Sequence, residues 1–132
     1  MSVETWEPAS PVRLTSQVVS EFLAAATQLS EPEFALSAES VGRLAAYARQ
    51  SPTADWTAAA EDLQEMELIS LIRLFTLGEA RFAAWESGSK SPVIPLAGVL
   101  RTRDAYPADL TKWIKNNTEN RFLPYGSLLD RL

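Results

Sequence analysis

The sequence predicts an all-α protein of about six helices, folded as one compact multi-helix bundle over residues 1–132. Three observations carry that expectation. Apolar residues recur at three- and four-residue intervals along most of the chain. No segment alternates apolar and polar residues long enough to form a half-buried strand. Alanine, whose side chain loses no rotamer entropy in a helix, is abundant throughout. At 132 residues and 46% hydrophobic content the chain can build a core without staples.

The first helix is expected over 11–29, where Val18, Val19, Phe22, Leu23, Ala26 and Leu29 share a face. The second, over 38–50, carries Val41, Leu44, Ala45 and Ala48 at the same spacing. Long apolar stretches predict a third over 53–76 and a fourth over 78–87. Val93, Leu96 and Leu100 define the fifth, over 93–103, and Leu110, Trp113 and Ile114 the sixth, over 107–117. Loops rich in Ser, Glu, Pro and Gly fall at 30–37 and 86–91. Residues 1–9 read as a tail and 118–132 as a C-terminal strap.

Three Ser-Pro pairs, Ser10-Pro11, Ser51-Pro52 and Ser91-Pro92, mark helix starts. There a hydroxyl can accept an orphan N–H, and proline has none to orphan. Pro95 either opens the fifth helix itself or bends its first turn, and Pro107 is placed to open the sixth. Each pair is followed by a second landmark: Arg43-Leu44-Ala45-Ala46-Tyr47, Arg81-Phe82-Ala83-Ala84-Trp85 and, less faithfully, Arg121-Phe122-Leu123-Pro124-Tyr125. Two arrangements fit this grammar. One is three degenerate helix pairs with a period near 40, which resembles HEAT-type units in length and helix content alone and implies no function. The other, favoured here, is an irregular bundle in which the spacing is coincidental. Pro124 would break the helix that its counterparts occupy.

The stretch from Met66 to Leu77 is apolar over well over half a helical circumference, relieved by Ser70, Arg73 and Thr76. Such a helix is buried on several sides. The chain's own helices are the first candidates to bury it. A second subunit docking at Arg73 and Leu77, giving a homodimer, is the alternative.

With no Cys and no His, the chain lacks thiolate chemistry, disulfides, the usual proton shuttle and the ligands of a standard zinc site. It contains no Walker or dinucleotide-binding loop and no nucleophile elbow. Glu61 and Glu65, four apart in an acidic stretch, would share a face if one helix ran through them. They are the residues from which a carboxylate or divalent-metal enzyme would be built, with Asp62, but a solvated acidic face is the simpler reading. No catalytic residue, metal site or cofactor is therefore assigned.

Charge is distributed unevenly. Residues 1–67 hold eleven acidic and three basic residues, whereas residues 68–132 hold six acidic and nine basic. In the second half Arg101, Arg103, Lys112, Lys115 and Arg121 lie among Trp113, Phe122 and Tyr125. Arg101, Arg103, Lys112, Trp113, Lys115, Arg121 and Tyr125 are thus the expected partner-binding residues. The leading expectation is a non-enzymatic cytoplasmic module that binds another protein. Nucleic-acid association through the same residues is the alternative, opposed by a net charge of -5. The acidic first residues lack a secretory pattern, and no run of about 18 apolar residues suggests a membrane span. The Ala-rich, Cys-free composition points to a bacterial source.

Overall fold

A computed structural model describes residues 14–28, 36–51 and 54–124. Those residues form six α-helices and no strand: α1 Ser16–Ala26, α2 Ala38–Leu44, α3 Trp56–Glu61, α4 Glu65–Arg81, α5 Val93–Thr102 and α6 Leu110–Asn117. Single 3-10 turns occupy Ala45–Tyr47, Ala83–Trp85 and Gly88–Lys90. The all-α bundle expected from the sequence is the fold observed.

Helix starts follow local capping chemistry. The Thr15 hydroxyl accepts from the Val18 N–H at 3.2 Å, and the Ser37 hydroxyl from Ser40 at 3.1 Å. Asp55 caps α3 by accepting from the Ala58 N–H at 3.1 Å. This corrects the expected start near Pro52. Ser51 instead closes a local turn, accepting from the Ala54 N–H at 2.9 Å. Ser91-Pro92 does stand at a helix start, with the buried Ser91 hydroxyl accepting from the Val93 N–H. Pro95 is the third residue of α5, within the first turn, where a missing N–H costs no intrahelical bond. Ser10-Pro11 and Pro52 lie outside the described residues.

The expected helix over 53–76 is two helices. Asp62 and Leu63 donate to the carbonyls of Ala59 and Ala60, closing α3 in a tight turn. Gln64 then takes an extended conformation, and the Glu67 carboxylate accepts its N–H at 2.9 Å to start α4. The expected break at 77 is also absent, because α4 runs through Gly78 to Arg81.

Helix α4 is the axis of the bundle and packs against α5, α1 and α6, while α3 packs on α5. Leu68, Leu71, Ile72 and Leu74 are fully buried along it. At its C-terminal half Phe75 meets Phe22, Trp56 and Trp85 at centroid separations of 4.9, 5.1 and 6.1 Å. Tilted and edge-on ring pairs of this kind add to simple burial. Both buried indoles are satisfied: Trp56 donates to the Tyr47 carbonyl at 2.8 Å and Trp85 to that of Val41 at 2.9 Å.

Two of the three sequence landmarks share a shape. Arg43 and Arg81 each stand in the last turn of an α-helix, and each helix leads into a 3-10 turn ending in the aromatic Tyr47 or Trp85. The two turns touch each other. Arg121–Pro124, by contrast, is a turn beyond α6. Stacked pairs would pack first within each pair, but the principal contacts here converge on α4.

Candidate interaction surface

Helix α4 is buried on most of its circumference but not all. Met66, Ile69, Arg73 and Leu77 fall on one line at intervals of three, four and four residues. Met66 is 76% exposed, the one large hydrophobic residue so exposed among those described. Ile69 and Leu77 are half-buried and lean on the core, and Arg73 is exposed. The large apolar arc predicted for this helix is thus mostly covered by α1, α5 and α6, leaving a narrow stripe.

Helix α6 borders that stripe. Leu110 and Ile114 turn inward, while Lys112, Lys115 and Asn116 face solvent. Trp113 is half-buried against the core, and the Arg73 guanidinium lies 5.7 Å from its ring centroid. That contact joins α4 and α6 at the surface through a cation–π pair. Among the described residues no carboxylate pairs with Arg73, Lys112 or Lys115. Ion pairs form elsewhere, among them Arg43–Glu21 and Arg103–Glu65.

The other expected binding residues are dispersed. Arg103 sits under the α3–α4 corner, donating to the carbonyls of Leu63 at 2.6 Å, Glu61 at 3.0 Å and Ala60 at 3.3 Å. It adds a donor to the Ala60 carbonyl, which already accepts from Leu63, and serves the carbonyls of Glu61 and Leu63 in the turn that follows α3, so its donors are engaged within the fold. Arg101 lies 5.9 Å from the Tyr106 ring centroid. Arg121 is on the rim of a separate cleft, and Tyr125 lies outside the described residues. Of the expected set, Lys112, Trp113 and Lys115 share α6, where Trp113 meets Arg73, and Leu77 lies one helical turn further along α4.

The acidic pair also separates. Glu61 ends α3 and Glu65 begins α4, with the turn at 62–64 between them, so the shared helical face does not exist. Among the described residues no three carboxylates converge as a metal-binding group.

A cleft of about 740 Å³ between the end of α4 and the strap holds residues that sequence inspection missed. The Glu79 carboxylate accepts the backbone N–H groups of Ser87 at 2.8 Å and Gly88 at 3.1 Å. It also accepts the Asn120 side-chain amide at 3.1 Å, and that amide donates to the Gly88 carbonyl at 3.0 Å. One carboxylate therefore ties helix, loop and strap together. Nothing in the local sequence around Glu79 signals a partner 41 residues away.

Comparison of the chain with protein-family models, curated proteins and solved structures returns no match, so its function has to be argued from these residues.

Proposed function

We propose that this chain is a helical protein–protein interaction module that presents the outer stripe of α4, flanked by α6, to a partner, and that it performs no reaction of its own. The observation that carries this reading is the stripe itself. Every other large apolar side chain of the described residues is at least partly withdrawn, while Met66 stands open at the head of a line that continues through Ile69 and Leu77. An isolated exposed methionine is ordinary, but one in register with two half-covered apolar residues and a neighbouring tryptophan extends into a patch. Methionine also adapts its shape to a partner at little cost.

The cytoplasm fits this reading; no helix among the described residues is long and apolar enough to cross a membrane. Exposed Lys112 and Lys115 support the nucleic-acid alternative. Its weight falls because Arg103 is engaged with α3 and the Trp113 ring is covered by Arg73.

Affinity capture from native lysate tests the proposal, using the wild type and Met66→Glu, each with and without nuclease. A discrete protein that survives nuclease and is lost with Met66→Glu, at unchanged melting temperature, is the expected result. Retention lost on nuclease treatment, or no retained protein, overturns it.

A further inference from the structure

We propose that Met66 is a reversible oxidation site, and that its conversion to the sulfoxide by a peroxide switches off the α4 stripe. This rests on the interaction-module reading and adds a regulation of the same surface.

Sulfur is scarce in this chain, which has no Cys and two methionines, Met1 and Met66. Met1 lies outside the described residues, so Met66 carries the one sulfur atom among those described. With no thiolate to compete, its thioether is the softest nucleophile that a mild oxidant meets there. It is also open to attack, at 76% exposure. The indoles are less accessible: Trp56 and Trp85 are sealed in the core, and Trp113 is half-buried beneath Arg73.

The step is a two-electron oxygen transfer. The sulfur lone pair attacks one peroxide oxygen, an S–O bond forms and the O–O bond breaks. With hydrogen peroxide the second oxygen leaves with both protons as water, so sulfur is oxidised and the peroxide reduced. No side chain of the protein has to take or give a proton, which suits a chain without His or Cys.

Position decides what the added oxygen does. Met66 is the second residue of α4, with most of its side chain in solvent. Oxygen added there displaces no packed atom, whereas in a core it would disrupt packing. The fold should therefore survive. The stripe should not, because Met66 heads the line that continues through Ile69 and Leu77. The sulfoxide sets a polar, strongly hydrated oxygen where a partner would bury apolar surface, and that oxygen would lose its water on association. A partner already seated would shield Met66, so oxidation acts on the free chain and blocks new association. Standing in solvent, the sulfoxide is also within reach of a methionine sulfoxide reductase, which restores the thioether.

The test treats the full chain with hydrogen peroxide, removes the peroxide, and then measures mass, melting and capture from native lysate. Peptide mapping should find one added oxygen at Met66 before any tryptophan is modified. The melting temperature should stay within about 2 °C of the untreated protein, as for a surface substitution. The amount of the Met66-dependent protein captured should fall about tenfold, the effect of losing a hot-spot side chain. Reduction by a methionine sulfoxide reductase should restore it. In Met66→Leu, judged against its own untreated level, peroxide should change nothing. Tryptophan modified ahead of Met66, or a melting temperature lowered by many degrees, overturns the site. Capture lost in Met66→Glu but unchanged by oxidation leaves the module reading standing and overturns the switch. If nothing is captured in any state, the module reading falls and the switch with it, while mapping and melting still decide the oxidation site.

Discussion

Gly78 and Gly98 are both helix-interior glycines, and their replacement by alanine should move stability in opposite directions. On propensity alone either change stabilises a helix by about 0.8–1 kcal/mol. At Gly98, on α5, an added Cβ meets nothing within 4 Å, so the gain should appear nearly whole. At Gly78, on α4, the Cβ would lie 2.6 and 2.8 Å from two carbons of the Trp85 ring. That is about 1 Å short of ordinary carbon–carbon contact. The ring has no room to retreat: Trp85 is 1% exposed, lies against Phe22, Phe75 and Phe82, and is pinned by its indole bond to Val41. Overpacking of this kind costs about 1–3 kcal/mol, which outweighs the propensity gain. A net loss of up to about 2 kcal/mol is expected for Gly78→Ala, against a gain of about 0.5–1 kcal/mol for Gly98→Ala. For a domain of this size 1 kcal/mol corresponds to about 3–4 °C in melting temperature. Thermal unfolding followed by circular dichroism should therefore separate the two variants by several degrees, on opposite sides of wild type. A Gly78→Ala protein at least as stable as wild type would refute the close approach of Trp85 to α4.

Three further outcomes are expected. Arg103→Ala should cost about 1–3 kcal/mol by urea unfolding because it strips donors from carbonyls at the end of α3, and Arg103→Lys should restore only part, lacking the planar fork. Glu79→Ala and Asn120→Ala should each destabilise by about 1.5–3 kcal/mol, with a double-mutant cycle showing clear coupling; additive losses would mean the carboxylate and amide act separately. Asp104 follows α5 at a φ of 59°, so Asp104→Gly should raise stability by about 0.5–1 kcal/mol, read as a higher denaturation midpoint at constant slope.

Sequence periodicity located the helices because burial of a stripe leaves a period of 3.6 whatever the tertiary arrangement. It failed at 62–64, where the apolar pattern continues across a turn; a Gln64 cap paired with Glu67 is a weak local signal beside such a run. It failed again at Gly78, which reads as a breaker until the ring it accommodates is known. The basic residues gather in the second half, but charge alone does not distinguish Lys115, which faces solvent, from Arg103, whose donors are taken by carbonyls 40 to 43 residues earlier. Glu79 and Asn120 carry no periodic signature because a polar knot is specified by three-dimensional proximity.

The tryptophans also divide the molecule optically. Trp56 and Trp85 are sealed in the aromatic cluster with 0% and 1% exposure, whereas Trp113 lies half-buried at the surface beneath a cation. With the fourth tryptophan, Trp6, which lies outside the described residues, replaced by Phe, a small aqueous quencher should reach Trp113 long before the other two, and emission lost at low quencher concentration should be the redder part of the spectrum. Anything seated over Arg73 and α6 would shield that fraction alone. Occupancy of the surface can thus be followed in the unlabelled protein, separately from loosening of its core.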